Sequence, residues 1–334
     1  VKGKATFTDS TGGQYNGSDT SETKPSAIPA IGISAPLSPK WRFGVGAYGV
    51  SGMGVSYKES DLFPPGANNL YTKLEVMNFA PNVAYMVTPD FSVGANLLVS
   101  YQNLDLGYGA DHGYGMGLQL GGLYKLGIIN LGAAYTYNQG VTHEKVAYFD
   151  DYDQTGHRVP KATLDALELQ SPQVVALCAS LDPGASWLVE FDTKWINWSG
   201  AEGYKDFDWE DQWVFGFGAQ YKITPAFSLR AGYNYAKSPV KEHNGFNPGG
   251  TTLVQGYAVG YVHYESLRIL GFPAVVEHHL SLGLGFQFPE AMAINLSYLH
   301  ALDNTIKESS AGDAFSFESS LEEDTITLGF SWFF

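Results

Sequence analysis

Apolar and polar residues alternate with a period of two along most of the chain. Near the C-terminus the apolar set consists of Ile326, Leu328, Phe330 and Trp332, with small or polar residues between them. The same alternation recurs in four other segments, at 91–102, 213–221, 227–235 and 280–288. Because successive side chains of a β-strand point to opposite faces, this pattern predicts strands with one apolar face.

The alternating segments are about ten residues long, which is the length that a tilted strand needs to cross a hydrocarbon core. Strands of soluble proteins are shorter, with about five or six residues. The face opposite the apolar one is glycine, serine or amide, which is too small and polar to fill a packed core. Aromatic residues lie mainly at the segment ends, where a membrane barrel carries its interfacial girdles. The pattern therefore predicts a barrel whose apolar face is turned to lipid.

Short turns and long connections alternate along the chain. Five turns contain proline, at 38–40, 88–90, 182–184, 224–226 and 289–291, and a sixth falls at 126–128. The long connections are 9–27, 51–72, 103–116, 138–166, 199–210, 239–276 and 303–323. The fourteen predicted strands lie at 1–8, 28–37, 41–50, 73–87, 91–102, 117–126, 129–137, 167–181, 186–198, 211–223, 227–238, 277–288, 292–302 and 324–334. An even number places both chain ends on the side of the short turns, which is periplasmic in outer-membrane barrels.

Composition agrees with a membrane barrel and removes other classes of protein. Charged residues make up only 16 % of the chain, against roughly 25 % in soluble domains. The single cysteine excludes an intrachain disulfide framework, and the net charge of −15 argues against a nucleic-acid partner. We therefore predict an all-β fold, a 14-stranded antiparallel transmembrane β-barrel that forms one domain over residues 1–334.

Several segments together resemble a known family, the FadL-type outer-membrane transporters of long-chain fatty acids and hydrocarbons. Residues 195–199 read Trp-Ile-Asn-Trp-Ser, similar to the family's Trp-x-x-Trp-Ser, and a strand follows at 212–218. Residues 230–235 and then Ser-Pro-Val at 238–240 resemble a later family motif, and 41–46 and 78–85 resemble two earlier ones. The resemblance implies passive transport of hydrophobic small molecules in the bacterial outer membrane, with surrounding lipids and such a molecule as partners.

The resemblance also implies a route and an assembly signal. Family members carry an N-terminal hatch in the lumen, which this chain does not show in its numbering, so an open pore is one expectation. They release ligand sideways through a kink in the third strand, and Gly49, Gly52 and Gly54 are the candidates for that kink here. The aromatic Phe334 resembles the terminal residue that barrel-assembly machinery recognises.

Apolar residues in two long connections are candidates for ligand contact. These candidates are Leu62, Phe63, Tyr71, Tyr257, Tyr261, Leu270 and Phe272. Apolar loops of this kind need a partner, which is either a hydrophobic ligand or another loop. Packing of loop against loop over the barrel mouth is the favoured interpretation, and direct ligand capture is the alternative.

A set of charged residues is predicted to face the lumen. Strand parity places Arg42, Glu190, Asp192, Lys194 and Arg230 on the inner side. A buried arginine there pairs either with a ligand carboxylate or, as the favoured interpretation, with Glu190 or Asp192 across the lumen.

Other chemistry has little support in the sequence. Asp150, Asp151 and Asp153 could bind calcium, but a solvated acidic loop is the favoured interpretation. His278 and His279 are adjacent in a predicted strand, so they point to opposite faces and cannot bind one metal ion together. We therefore expect no enzyme, no cofactor and no metal site. Two other functions remain open: a general diffusion porin for polar solutes, favoured by the missing hatch, and a scaffold within a larger outer-membrane assembly.

Overall fold

The computed structural model describes residues 1–334 except 10, 23–25, 58–59, 66–69, 148–150, 153–157, 160–162, 185, 290 and 334, with the backbone alone at 151–152 and 158–159. A single antiparallel sheet of 15 strands dominates the structure. Consecutive strands of this sheet pair with each other, except that the second and third do not, and the first strand also pairs with the last. In the described part of the chain, no helix is long and apolar enough to span a membrane.

The strands of this sheet are β1 (Lys2–Thr8), β2 (Gln14–Thr20), β3 (Ala30–Pro36), β4 (Trp41–Tyr57), β5 (Leu70–Thr88), β6 (Phe91–Asp105), β7 (Asp111–Leu126), β8 (Ile129–Thr136), β13 (Gln173–Leu181), β14 (Trp187–Asn197), β15 (Gln212–Lys222), β16 (Phe227–Ala236), β19 (His278–Gln287), β20 (Met292–Ser309) and β21 (Phe315–Trp332). Three small hairpins lie outside it: β9 (Gln139–Ala147) with β12 (Asp165–Ser171), β10 (Asp151–Tyr152) with β11 (Arg158–Val159), and β17 (Thr251–Val254) with β18 (Tyr257–Gly260). Helix α1 (Tyr261–Ser266) continues into a π-helical turn, Leu267–Gly271.

The strand prediction is confirmed for the barrel wall. Every predicted strand corresponds to one strand of the large sheet, and β2 is the additional member. The ladder begins at β2 and ends at β3, two strands that residues 21–29 join in the chain. The all-β, antiparallel barrel class is therefore correct.

The register of the ladder separates two faces, as the alternation predicted. Ala231, Leu282, Tyr298 and Ile326 follow one another across four strands on the outer face, where Leu282 keeps 66 % of its surface exposed. Trp41 packs on Tyr85 with ring centroids 4.6 Å apart, and Trp187 packs on Tyr221 at 4.7 Å. Both aromatic pairs lie near the short turns, which is where an interfacial girdle is expected.

The predicted boundaries fail where strands rise beyond the apolar band. Strands β4 to β7, β20 and β21 extend into segments that the sequence assigned to connections, and β2 lies inside the predicted connection 9–27. The predicted strand 167–181 divides at Pro172, because β12 pairs with β9 while β13 joins the wall. Lipid no longer selects apolar residues above the membrane, so the alternation that identified strands disappears there.

Strand β4 contains a β-bulge at the place where a kink was expected. Its register on β5 shifts between Gly49 and Ser51, so Val50 has no direct partner. A Cβ at Gly54 would lie 2.3 Å from the Thr72 carbonyl oxygen, whereas a Cβ at Gly52 would meet nothing within 4 Å. Gly54 is therefore required by close backbone packing, and Gly52 is not.

We expect Gly54→Ala to lower the free energy of unfolding by about 1–3 kcal/mol, because the added methyl group meets a backbone atom that cannot move aside. Urea unfolding of the purified barrel in detergent would measure this loss. Gly52→Ala is the matched control and should unfold like the wild type. Equal destabilisation by the two substitutions would contradict the close packing at Gly54.

Candidate ligand cavity beneath the extracellular cap

The buried apolar core lies at the end of the barrel opposite the short turns. It joins the upper ends of wall strands, such as Leu74 and Leu104, to residues of the long connections, such as Ile269 and Val275. We call the segments 199–210 and 239–276 the cap, because they pack over the barrel mouth. The cap is held by apolar burial, as the preference for loop–loop packing anticipated.

A cavity lies between the cap and the wall. Its walls come from β4 to β6, from β12 and from both cap segments; they are formed by Met53, Leu74, Leu104, Leu106, Leu167, Leu169, Gly203, Tyr204, Phe207, Trp209, Arg268 and Phe272. Its volume is about 30 Å³, so the walls nearly fill it. Arg268 is the one charged residue among these wall residues. A site of this composition suits an apolar molecule that displaces flexible side chains on entry.

An aromatic cluster forms the part of the cavity wall that comes from 199–210. The ring centroids of Trp198 and Tyr204 are 4.6 Å apart, and Trp209 lies 5.0 Å from both. Burial raises the pKa of Tyr204 to about 12, so its hydroxyl stays protonated at neutral pH. The hydroxyl and backbone amide of Ser199 both donate to the Asp211 carboxylate, at 2.8 and 3.0 Å, and fix the start of the cluster.

The Ser-Pro-Val segment at 238–240 holds the two ends of the longer cap segment together. The Ser238 hydroxyl donates to the Ala274 carbonyl oxygen at 2.8 Å, and its amide donates to Glu277 at 2.9 Å. The Pro239 carbonyl accepts from the Glu210 amide at 2.8 Å, which ties this point to the shorter cap segment. The motif that marked the family resemblance therefore positions the cap over the mouth.

A buried ionic cluster lies inside the cap, centred on Arg268. The guanidinium Nε donates to the Phe207 carbonyl oxygen at 2.7 Å, Nη2 donates to the Lys241 carbonyl oxygen, and Nη1 pairs with the Glu265 carboxylate. Glu308 Oε2 lies 3.6 Å from Nη1. The side chains of Arg268, Glu265 and Glu308 have no exposed surface, so each charge depends on its partners for solvation.

His243 connects this cluster to the surface of the cap. Its Nδ1 lies 2.8 Å from Glu265 and its Nε2 lies 2.8 Å from Asp208, and Lys241 Nζ lies 3.5 Å from the same Asp208 carboxylate. The hydrogen bond with Glu265 raises the pKa of His243. Burial raises the pKa of Asp208 and Glu265, but their pairing with His243 and with nearby cations outweighs it, so the pKa of both carboxyl groups is lowered.

Glu308 has the opposite shift. Burial, followed by the nearby negative charge of Glu265, raises the pKa of Glu308 to about 8. Its Oε2 accepts from the His243 amide at 3.0 Å, while Oε1 is buried without a hydrogen-bond partner. At neutral pH Glu308 is therefore mostly protonated, and Glu265 carries the negative charge that balances Arg268.

The structure brings most of the predicted ligand-contact residues into the cap, but not around the cavity. Leu62 and Leu270 are fully buried, and Phe63, Tyr257 and Tyr261 pack against the same core. Tyr71 is half-buried near the start of β5. Phe272 is the one residue of the predicted seven that lines the cavity.

The predicted lumenal charges lie on the inner face of the ladder. Glu190, Asp192 and Lys194 alternate with outward residues of β14, and Arg42 and Arg230 share inner rows with Ala84 and Gly283. Arg230 donates to Gln220 at 2.8 Å and to Asn295 at 2.7 Å. Among the described residues, no ion pair joins an arginine to Glu190 or Asp192, which was the favoured interpretation. The guanidinium of Arg230 binds the side-chain amides of Gln220 and Asn295 instead.

Below the cap, the inner wall is lined by small residues. Ala84, Gly94, Gly121, Ala134 and Ala176 occupy one row across five neighbouring strands. A cavity of about 400 Å³ lies against this row, with the Asp192 and Lys194 side chains at its border. The inner wall below the cap is therefore formed by small residues that leave a spacious cavity.

Several residues of the site were missed in the sequence. Leu104 lies in a strand extension and Leu106 in a loop, both without a strand pattern. The ionic cluster joins residues far apart in the chain. The aromatic residues of 199–210 carried a signal, since Tyr204, Phe207 and Trp209 concentrate in twelve residues of one connection. An aromatic-rich connection is unusual for a solvated loop and points to packing.

The considered calcium site lies largely outside the described residues, which lack Asp150, Asp153 and the side chain of Asp151. Phe334 also lies outside them. Among the side chains that are described, no group of three or more His, Cys, Asp or Glu residues is arranged to hold a metal ion.

The fold and the capped lumen define an outer-membrane β-barrel of the transport class. The model of one family, described as outer membrane protein transport protein (OMPP1/FadL/TodX), matches residues 1–144 and 109–246. The chain belongs to this family, and its location is the bacterial outer membrane. The resemblance inferred from the sequence motifs is thereby confirmed. A comparison with curated proteins gave no significant match.

Solved structures share the fold at low sequence identity. The Pseudomonas putida toluene transporter TodX is 18 % identical, with a TM-score of 0.64 over 99 % of this chain and 87 % of its own. A Pseudomonas aeruginosa FadL homologue is 14 % identical, with a TM-score of 0.64 over 98 % and 87 %. The monoaromatic hydrocarbon channel CymD is 16 % identical, with a TM-score of 0.54 over 99 % and 87 %.

We expect the cap to loosen as the pH rises through about 8. The pKa values of Glu308 and His243 are higher in the folded protein than in the unfolded chain. Each group therefore stabilises the fold fully at a pH below its unfolded pKa, and this stabilisation is lost as the pH rises through its folded pKa. The lowered pKa values of Asp208 and Glu265 act at the acid end instead, where stability is lost as pH falls. Amide hydrogen exchange of residues 239–276, corrected for intrinsic rates, would report the loosening.

The variant Glu308→Gln keeps an uncharged group in place and should weaken this alkaline response. The exposed Glu242→Gln, in the same segment, is the matched control and should respond like the wild type. An alkaline response that is undiminished in Glu308→Gln would show that another group governs the cap.

Proposed function

We propose that the protein transports hydrophobic small molecules passively across the outer membrane, through the cavity beneath the cap. The observation that carries this proposal is the composition of the cavity wall, which is apolar and aromatic apart from Arg268. Family membership supports it, and so do two structures of similar fold, a toluene transporter and a monoaromatic hydrocarbon channel. Nothing in this route requires an energy source other than the gradient and binding of the ligand.

The route that we propose has two stages. An apolar molecule first enters the cavity by displacing side chains such as Leu106, in the loop after β6, and Phe272, in the cap. It then reaches the wider lumen, whose wall of glycine and alanine offers apolar surface with little steric hindrance. The apolar core beneath the cap favours this route over a general diffusion porin, because its described residues offer a polar solute little to replace its hydration.

A lateral exit beside the bulge of β4 is the finer part of the proposal. The bulge leaves Val50 unpaired, and the Gly49 amide donates to the Pro29 carbonyl oxygen at 3.2 Å as the chain passes from β2 to β3. A Cβ at Gly49 would lie 2.6 Å from Ile28 Cγ2, so the two segments meet at this glycine. Weak pairing at this point offers an apolar ligand the shortest way into lipid.

We expect Leu106→Phe to slow toluene uptake several-fold, because the larger side chain occupies a cavity that its walls nearly fill already. Leu253→Phe is the matched control, since Leu253 lies in the same cap with 65 % of its surface exposed. The measurement is the initial rate of labelled toluene uptake by cells that express each variant at the same level. Rapid swelling of protein-containing liposomes in sugar solutions would instead support the porin.

We expect Gly49→Trp to reduce the same uptake rate while Gly52→Trp leaves it near the wild-type value. The first substitution crowds the bulge against Ile28, whereas the second points into open space. Heat-modifiability on gels would verify that both barrels fold. Undiminished uptake by a folded Gly49→Trp variant would argue against the lateral exit and leave the transport proposal intact.

A further inference from the structure

The single cation among the wall residues of the cavity, Arg268, is already paired within the protein. Each of the three guanidinium nitrogens of Arg268 has a protein acceptor: the carbonyl oxygens of Phe207 and Lys241 and the carboxylate of Glu265. The guanidinium also lies 5.4 Å from the ring centre of Tyr264, which covers part of its face. Arg268 therefore contributes mainly its alkyl stem to the cavity wall.

A negatively charged ligand would find no unpaired cation among the wall residues of this cavity. Burying a carboxylate without a hydrogen bond or an opposite charge is far more costly than burying a methyl group of the same size. The only cation of the wall is already paired with a fully buried carboxylate, and Glu308 stands beside it as a second acidic group. The cluster is thus arranged to cancel the charge that an anionic ligand would use.

We propose that Glu265 is a specificity-determining residue, which occupies the carboxylate position on Arg268 and restricts the cavity to neutral apolar molecules. This inference rests on the proposed function and names its substrate class: hydrocarbons are accepted, and their carboxylates are excluded. Glu308 supports this role. If Glu265 lost its charge, Glu308 would ionise 3.6 Å from Arg268 and replace it.

The experiment compares two probes of similar shape, p-xylene and 4-methylbenzoate, which differ by a methyl group and a carboxylate. Equilibrium binding is measured on the purified full chain in detergent, corrected for partition into protein-free micelles. We expect the wild type to bind p-xylene at least about 100-fold more tightly. The double variant Glu265→Gln/Glu308→Gln removes both acidic groups and should narrow this ratio at least tenfold, through tighter 4-methylbenzoate binding.

A second variant keeps the proposal testable if the double variant does not fold. Glu308→Gln keeps the Glu265–Arg268 pair and should retain the wild-type preference for p-xylene. A preference narrowed tenfold by Glu308→Gln alone would contradict the role of Glu265, and equal wild-type affinities for the two probes would overturn the inference while hydrocarbon transport stands. Failure of the wild type to bind either probe would overturn the proposed function together with the inference.

Discussion

The constraint on which the structure depends is that lipid offers no hydrogen-bond partners to the backbone. Amide and carbonyl groups at membrane depth must pair within the protein, so a long sheet has to curve into a barrel. Curvature separates two environments, and residues of opposite parity adapt to them: Leu282 and Ile326 face lipid, while Gly94 and Gly121 face the lumen. A barrel of this size has a spacious lumen, and a cap is needed where passage must be selective.

Two kinds of interaction hold the cap in place, one without directional preference and one with it. Apolar burial of residues such as Ile269 and Leu270 holds the cap over the mouth without directional preference. The cluster of Arg268, Glu265 and His243 adds direction, because buried charges tolerate few arrangements. It also leaves the adjoining cavity without a free charge. Stability of the cap therefore depends on a few side chains, and the proposed choice of ligand would depend on the same ones.

The barrel was largely predictable, and the cavity was not. Every wall strand except β2 was predicted from alternation and turns, and the inner position of Arg42, Glu190, Asp192, Lys194 and Arg230 followed from parity. The hydrogen-bond partners of Arg230 could not be predicted in the same way. Parity gives the face on which Gln220 and Asn295 lie, but not the register that brings them next to Arg230. Strand β12 was merged with β13 because Pro172 was the only local sign that the chain leaves the wall.

By itself, the sequence determined which residues meet lipid and which meet the lumen, since each strand residue is selected locally by the medium that it faces. The tertiary structure alone decided what the cap contains. Glu265 and Arg268 come from one helical turn, Glu308 from β20 and Phe207 from another connection. The periodicity of the sequence does not predict these contacts, because burial and charge pairing depend on how segments far apart in the chain are placed in the folded protein.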